Sequence, residues 1–299
     1  MNTRTFVSFA AAAAIAALAG TADAALVYGL TTDNRLVSFD SATPGAITNL
    51  GTIGGLAAPG ETVVGIDLRP ATGQVFAVGS SSTVYSLSIA PGNVTASPIG
   101  PSFTPVLTGG VEYGIDFNPT VDRIRVVASN GENRRLNPVN GTSAGVDTAL
   151  TFAAGPFGGT PRAVGTAYTN SLAGAPLGSI RQFIIDSTND ILGEVGSQAG
   201  GNASFNGGVV TGVGALGFDT NDLVGFDIFG PTGGAFLSLT DPSSNLSSFY
   251  SLNLATGGAS FIGSIGTGVT LRDITVVPAP GVAGLAVVGG LAGLRRRRR

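Results

Sequence analysis

The stretch VVGIDLRPATGQVFAVGSSSTVYSLSI at residues 63–89 is repeated in outline by VEYGIDFNPTVDRIRVVASNGENRRLNPVNG at residues 111–141. In each copy, a strand containing Gly, an apolar residue and Asp is followed by a Pro-containing turn. A second strand, a polar turn and a third strand complete the copy. Short apolar runs separated by turn residues in this way indicate antiparallel strands. The pattern therefore predicts a β-meander that the chain uses at least twice.

Two weaker copies follow the first pair. They are AVGTAYTN (163–170) with RQFIIDSTNDILGEVG (181–196), and ALGFDTNDLVGFDI (215–228) with SSFYSLNLATGGASFIGSI (247–265). The four copies open at Gly65, Gly114, Gly165 and Gly217, so the repeat length is about 50 residues. Repeats of about 40 to 50 residues built from strands are typical of β-propeller blades. We therefore expect an all-β, propeller-like domain of five blades, or of six if residues 214–265 hold two.

The two ends of the repeat region complement each other. The segment LVYGLTTDNRLVSFDSATPGAITNLGTIG (26–54) has three strand patterns but lacks the Gly-apolar-Asp strand, whereas LRDITVV (271–277) resembles that strand alone. Pairing the last strand with the first blade would leave no edge free to aggregate. The sequence predicts that residues 271–277 complete the blade begun at residue 26, within one domain spanning 25–277.

Composition excludes several kinds of chemistry. The chain has 47 Gly among 299 residues and neither Cys nor His. Disulfides, Cys or His metal sites, Ser-His-Asp triads and Cys-His pairs are therefore absent. Between residues 25 and 294 there are nine Arg against 17 acidic residues, a net charge of −8. Because phosphate binding needs a basic face, nucleic acid is not an expected partner.

Residues 1–24 have the order of a secretion signal. Arg4 precedes an apolar stretch from Phe6 to Gly20, and Ala22 and Ala24 form the small-x-small site that a signal peptidase recognises. We expect the mature chain to begin at Ala25.

The last 22 residues, 278–299, have three parts. Pro278 and Pro280 flank Ala279, the thirteen residues 282–294 carry no charge, and five Arg end the chain. A spanning helix needs about 20 apolar residues, so this run is short for a permanent anchor. It predicts a transient membrane anchor whose Arg end stays on the cytoplasmic side.

This tail resembles the PEP-CTERM sorting signal of Gram-negative bacteria, although Ala279 stands where that motif has Glu. The resemblance implies cleavage by an exosortase-type enzyme near Pro278 and Pro280. It also implies a place at the cell surface or in the extracellular matrix, in the setting of an exopolysaccharide or biofilm.

The repeat region resembles the DUF4394 family of exported bacterial proteins over residues 26–275. The segments that carry this resemblance are LVYGLTTDNRLVSFDSATPG, GIDLRPATGQVFAVG, GIDFNPTVDRIRVVASNGENRRLNP and FYSLNLATGGASFIGSI. Because no activity is established for that family, the resemblance implies a fold and a compartment but no reaction.

Four acidic residues occupy equivalent places in the repeats and are candidates for a ring at the channel. They are Asp67, Asp116, Asp219 and Asp273. A ring of carboxylate oxygens suits Ca²⁺. Alternatively, each Asp braces the turn that follows it, and Ala167 in the remaining copy would break a ring. The structural role is preferred, and no cofactor is required.

A second group of polar residues is predicted on two neighbouring strands. It consists of Arg123, Arg125, Asn133, Arg134 and Arg135. Arg side chains on one side of a sheet could bind a carboxylate or a sugar acid through paired hydrogen bonds. The alternative is a solvated strand face.

The preferred function is a non-catalytic binding or structural module, associated with exopolysaccharide. The competing hypothesis is a carbohydrate-active hydrolase or lyase that uses a pair of Asp or Glu carboxylates. Acidic residues are frequent in the chain, so their presence does not distinguish the two hypotheses.

Overall fold

The computed structural model describes residues 25–197 and 201–278. The predicted signal residues Ala22 and Ala24, and Pro280 with the tail beyond it, lie outside the described residues. Pro278 is the last described residue and is exposed. No helix in the described ranges is long and apolar enough to cross a membrane.

The predicted all-β, propeller-like fold is confirmed. In chain order the first eleven strands are β1 (Leu26–Thr31), β2 (Arg35–Asp40), β3 (Thr48–Gly54), β4 (Val63–Arg69), β5 (Gln74–Gly79), β6 (Thr83–Ala90), β7 (Asn93–Pro98), β8 (Tyr113–Asn118), β9 (Arg123–Ala128), β10 (Asn133–Leu136) and β11 (Ser143–Val146). The remaining elements are β12 (Thr151–Phe152), β13 (Ala163–Tyr168), β14 (Gln182–Asp186), β15 (Ile191–Val195), α1 (Gly201–Asn206), β16 (Val209–Ala215), β17 (Val224–Phe229), β18 (Gly234–Thr240), β19 (Ser247–Leu252), β20 (Ala259–Ser264) and β21 (Leu271–Val277).

The described strands fall into antiparallel groups of four, each a meander. Meander 1 is β21-β1-β2-β3, meander 2 is β4 to β7, meander 3 is β8 to β11, meander 4 is β13 to β16 and meander 5 is β17 to β20. Meanders 1 and 2 share one eight-stranded sheet because their outer strands β3 and β7 pair in parallel over two residues. The short β12 pairs with the outer strand of meander 4.

The two ends of the repeat region pair as predicted. Strand β21 runs antiparallel to β1, with Val27 opposite Val276 and Gly29 opposite Ile274. The backbone groups that β1 and β21 would otherwise expose on these edges are therefore paired. The predicted pairing of 271–277 with the strand at residue 26 is confirmed.

Burial decreases from the first strand of each meander outward. Every residue of β8, β13 and β17 is buried, whereas the outer strands β11 and β20 have none. The innermost strands contact one another in the cyclic order β21, β4, β8, β13 and β17, and β17 contacts β21 again. Strands buried on both faces are expected to read as continuous apolar runs interrupted by small residues.

The apolar core lies between neighbouring meanders. Five clusters of buried side chains each draw members from two adjacent meanders, for example Phe76 of meander 2 with Phe117 of meander 3 and Phe39 of meander 1 with Phe249 of meander 5. These two aromatic pairs are edge-to-face, with ring centroids 5.4 and 5.1 Å apart. Burial of this apolar surface is the main stabilising contribution, and it couples each meander to the next.

The repeated Gly has a steric reason. A Cβ placed on Gly114 of β8 would lie 2.6 Å from the backbone of Gly165 in β13. Real Cβ atoms do not approach a backbone so closely, so only Gly lets these innermost strands meet. The repeated Gly thus allows β8 and β13 to lie in contact.

One predicted repeat boundary is wrong. Gly217 does not open a copy, because it lies in an exposed bend after β16, with a positive φ of 83°. The innermost strand of meander 5 begins at Val224, and its Gly is Gly225. Residues 224–264 form one four-stranded meander.

Candidate functional site

Three buried carboxyl groups meet where the innermost strands surround the axis. Oxygens of Asp67, Asp116 and Asp227 all lie within 4.8 Å of one another. The hydroxyl of Thr275 donates to Asp67 at 3.0 Å and lies 3.2 Å from Asp227. We call these four residues the axial cluster.

The axial cluster also ties each innermost strand to the next. Each side chain accepts a hydrogen bond from a backbone N–H one strand further round: Asp67 from Phe117, Asp116 from Tyr168, Asp227 from Val276 and Thr275 from Leu68, at 2.6 to 3.1 Å. The same register places Ala167 at the fifth position, where the side chain has no acceptor. A hydrogen-bonded buried carboxyl costs far less than an orphaned one.

Two of the four predicted ring residues are placed differently by the structure. Asp219 is exposed and lies in the loop between β16 and β17, outside the cluster. Asp273 is buried, but it occupies the position that Gly has in the other innermost strands, and it accepts from the N–H of Ile66 at 2.9 Å. The ring positions in these two regions belong to Asp227 and Thr275. Gly-Phe-Asp occurs twice, at 217–219 and 225–227, so the signal for Asp227 was present.

Burial makes the carboxyl groups of the axial cluster weak acids. Desolvation, together with the nearby charges of Asp67 and Asp227, raises the pKa of Asp116 well above its usual range. Burial and then the charge of Asp67 raise the pKa of Asp227 to about 7. Burial also raises the pKa of Asp67, although its hydrogen bond with Asp116 opposes the shift. The carboxyl groups of Asp67 and Asp116 hydrogen-bond to each other, which requires a proton between them. The cluster is therefore not fully ionised at neutral pH.

The donor set of the axial cluster does not fit Ca²⁺. That ion takes six to eight oxygen ligands. Here each carboxyl group uses an oxygen to accept a backbone N–H, and Asp67 uses both, from Leu68 and Phe117. Three carboxyl groups and one hydroxyl, most of whose oxygens already accept hydrogen bonds, offer fewer ligands than that ion takes.

The predicted arginine group does not form a surface patch. Arg125 is only 1% exposed, and its guanidinium donates to Asp147 at 2.6 Å and to Asn133 at 2.7 Å within meander 3. It also donates to the hydroxyl of Tyr168 at 3.0 Å and to Asn206 at 2.8 Å, beside meander 4. Arg125 therefore links two meanders from inside.

Of the other predicted arginines, only Arg135 shares a partner with Arg125. Arg134 is buried on the opposite face of β10 and donates to the backbone carbonyl of Pro105. Arg135 lies opposite Arg125 on the neighbouring strand. Its guanidinium donates two hydrogen bonds to Asp147, at 2.7 and 2.8 Å. Arg123 donates to nearby backbone carbonyls. The prediction that the four arginines share one side is wrong, because Arg134 immediately precedes Arg135 and successive side chains of a strand alternate between faces.

The innermost strands have a different cavity at each end. At the N-terminal ends of the innermost strands lies an open cavity of about 630 Å³, whose lining includes Glu112, Arg162, Thr220, Asp222 and Arg272. We call it the polar funnel. At the C-terminal ends of β4, β17 and β21 lies a second cavity of about 540 Å³, with mostly apolar walls. We call it the apolar cavity.

Ion pairs hold the charged groups of the polar funnel in place. Arg162 donates its Nε to Asp222 at 2.6 Å, and Ser187 donates to the same carboxylate at 2.7 Å. Arg272 pairs with Glu112. The guanidinium of Arg162 keeps the pKa of Asp222 below its usual value. The sequence reading missed this site, because its residues come from separate loops and share no motif.

A family model described as a domain of unknown function (DUF4394) matches residues 35–275. No curated protein matches the chain. A structural genomics protein of unknown function from Bacteroides thetaiotaomicron is 13% identical, with a TM-score of 0.46, over 71% of this chain and 53% of its own. A protein from Lactobacillus plantarum is 12% identical, with a TM-score of 0.40, over 85% of this chain and 99% of its own. The hydrazine synthase of Kuenenia stuttgartiensis is 11% identical, with a TM-score of 0.36, over 73% of this chain and 51% of its own. The chain thus spans about half the length of the first and last of these structures.

Proposed function

Because the chain belongs to the DUF4394 family, whose description names no activity, we propose from the geometry that it is a non-catalytic module that binds exopolysaccharide through the polar funnel. The observation that carries this proposal is the pairing of Arg162 with Asp222 and of Arg272 with Glu112 around one opening. Fixed donors beside fixed acceptors match sugar hydroxyl groups, which need both. Thr220, Asn221 and Ser187 add further uncharged polar groups to the same lining.

The acid chemistry of the molecule favours binding over hydrolysis. A glycosidase needs one carboxylic acid that stays protonated close to a second carboxylate, both in contact with the sugar. In the polar funnel, Asp222 is held ionised by Arg162. The carboxyl groups whose pKa is raised lie outside the polar funnel lining. Those of the axial cluster and Asp273 are buried and accept hydrogen bonds from backbone N–H groups. Asp190 is partly buried and accepts the N–H of Thr220. This separation supports a module rather than an enzyme.

We propose further that the five meanders are the blades of one closed five-bladed propeller. The cyclic contacts of the innermost strands and the pairing of β1 with β21 support closure. Residues 25–277 would then form a single domain, with the polar funnel and the apolar cavity at its two ends.

The exported location is proposed from the two ends of the chain. Residues 1–24 would be removed as a signal peptide, and residues 278–299 would anchor the protein briefly through 282–294 before an exosortase-type enzyme cuts near Pro280. The product would remain at the surface or in the matrix of a Gram-negative cell. Intact-mass measurement of the protein from its host tests this, since a mass that retains the five terminal Arg would contradict it.

The binding function is tested by incubating the purified protein with host exopolysaccharide and measuring retention and new reducing ends separately. We expect retention without new ends, and Arg162→Gln should weaken retention about tenfold. Arg181→Gln is the matched control, because Arg181 is similarly half-exposed and paired with Glu194, away from the polar funnel. New reducing ends that disappear in Asp222→Asn would instead establish a hydrolase. Equal retention by the two Arg variants would remove the polar funnel as the site.

A further inference from the structure

The apolar cavity is separate from the polar funnel and has no role in the function proposed above. Its walls come from meanders 1, 2 and 5 and from the loop at 171–173. The volume of about 540 Å³ lies within the range of about 300 to 1,000 Å³ that small-molecule sites occupy. The cavity is therefore large enough for an organic molecule rather than only for water.

The walls near the mouth are apolar. Leu26, Leu68 and Ile89 are half-buried there, and Leu172 is 46% exposed at the loop. An exposed Leu alone needs no explanation, but several half-buried apolar side chains around one cavity favour an apolar occupant.

The polar groups of this cavity are acidic. Asp67 and Asp227 of the axial cluster belong to its lining, and each precedes the end of its innermost strand by two residues. They therefore lie toward the axis, inward of the apolar mouth. Tyr28 also lines the cavity, and its hydroxyl has no hydrogen-bond partner among the described residues. The described lining contains no Arg to offset the two carboxyl groups.

We propose that the apolar cavity binds an organic amine, with an apolar body against Leu68 and Ile89 and a protonated nitrogen beside Asp227 and Asp67. Charge complementarity selects the amine: an ammonium group is attracted by the two carboxyl groups, whereas a carboxylate of the same chain length is repelled. The hydroxyl of Tyr28 is available as an additional acceptor. Apolar burial contributes affinity, and the charged head contributes specificity.

Calorimetric titration of the purified protein with n-octylammonium, n-octanol and n-octanoate tests the proposal. We expect n-octylammonium to bind at least tenfold more tightly than n-octanol, and n-octanoate to bind least. Asp227→Asn should remove this preference and leave the n-octanol affinity unchanged. The Asn retains a side-chain oxygen that can accept the N–H of Val276. Asp219→Asn is the matched control, since it removes the same charge from an exposed loop outside the cavity.

A second variant keeps the test independent of the axial cluster. Leu172→Arg changes an exposed loop residue, so folding should be unaffected, and the new charge at the mouth should weaken n-octylammonium binding at least tenfold. The proposal fails if the three probes bind equally, if none binds, or if Asp227→Asn and Leu172→Arg both bind n-octylammonium like the unaltered protein.

Discussion

At the scale of single residues, this protein places its acidic groups in two different electrostatic settings. The carboxyl groups of the axial cluster are buried together, and burial raises their pKa values. Asp222 of the polar funnel faces a guanidinium, which lowers its pKa. The same side chain is thus a weaker acid at the axis than at the surface opening.

The raised pKa of Asp227 predicts a stability that falls as the pH rises. An unfolded Asp loses its proton near pH 4, whereas Asp227 in the folded protein keeps it until about pH 7. Between these values the folded state binds more protons, so the free energy of unfolding decreases with increasing pH. This contribution is complete below pH 4 and is lost by about pH 7. Thermal melting between pH 4 and 8 should show the decline.

Substitution identifies the group responsible. Asp227→Asn should make the decline smaller and raise the melting temperature at pH 7, because this side chain then has no proton to lose. Asp116, whose pKa is also raised, still contributes to the remaining decline. Asp219→Asn should leave the pH profile unchanged, since that residue is exposed. Identical profiles for the two variants would show that Asp227 does not titrate as inferred.

Arg125 is expected to matter more for stability than its neighbour Arg135. Both donate to Asp147, but Arg125 is 1% exposed and also bonds Tyr168 and Asn206, whereas the Arg135 side chain is 29% exposed. Removing one member of a buried charge network costs about 3 to 5 kcal/mol. Chemical denaturation should give a loss of that size for Arg125→Gln and of about 1 kcal/mol for Arg135→Gln. Equal losses would contradict the structural role assigned to Arg125.

At the scale of elements, the sequence of the innermost strands is constrained because their backbones lie in close contact. Gly114 meets the backbone of Gly165, and Gly225 lies under Ile274 in the same way. The Asp two positions later then accepts a hydrogen bond from the backbone N–H of the next strand. One tripeptide therefore supplies both the close approach and the bond that holds it.

Substituting Gly114 tests this account of the strands. Gly114→Ala would place a Cβ 2.6 Å from the backbone of Gly165, and the strands must separate. Overpacking of this kind costs about 1 to 3 kcal/mol. Gly109→Ala is the control, because a Cβ there meets nothing within 4 Å. Urea unfolding should distinguish the two variants, and similar midpoints would show that the approach is not needed.

At the scale of the whole molecule, stability depends on the pairing of the last strand, β21, with the first, β1. Strand β21 pairs with β1 and contributes Leu271, Ile274 and Val276 to the cluster between meanders 1 and 5. Its Thr275 also completes the axial cluster. No neighbouring strand could replace these contacts.

Ending the chain at Gly268 should therefore disrupt the molecule. The truncated chain would expose apolar surface on two meanders and the open edge of β1, with an expected loss of several kcal/mol and aggregation. A chain ending at Pro278 retains β21 and serves as the control. If both chains show the same melting temperature and elution volume, β21 does not close the ring.

The sequence by itself determined the strands, because they depend on local patterns. Short apolar runs, turn residues and a repeated Gly predicted strands in the copies at 63–89, 111–141 and 163–170, and the structure has innermost strands within them at 63–69, 113–118 and 163–168. The complementary ends of the repeat region also predicted the pairing of 271–277 with residue 26 onward, since a missing strand and a spare one are both visible in the sequence.

Only the tertiary structure decided which residues meet at the axis. Gly-Phe-Asp occurs both at 217–219 and at 225–227, and the innermost strand β17, which begins at Val224, places Asp227 and not Asp219 in the cluster. Register around the ring likewise set Thr275 at an Asp position and buried Arg125 between meanders. Such outcomes depend on distances between residues far apart in the chain, and no local pattern contains them.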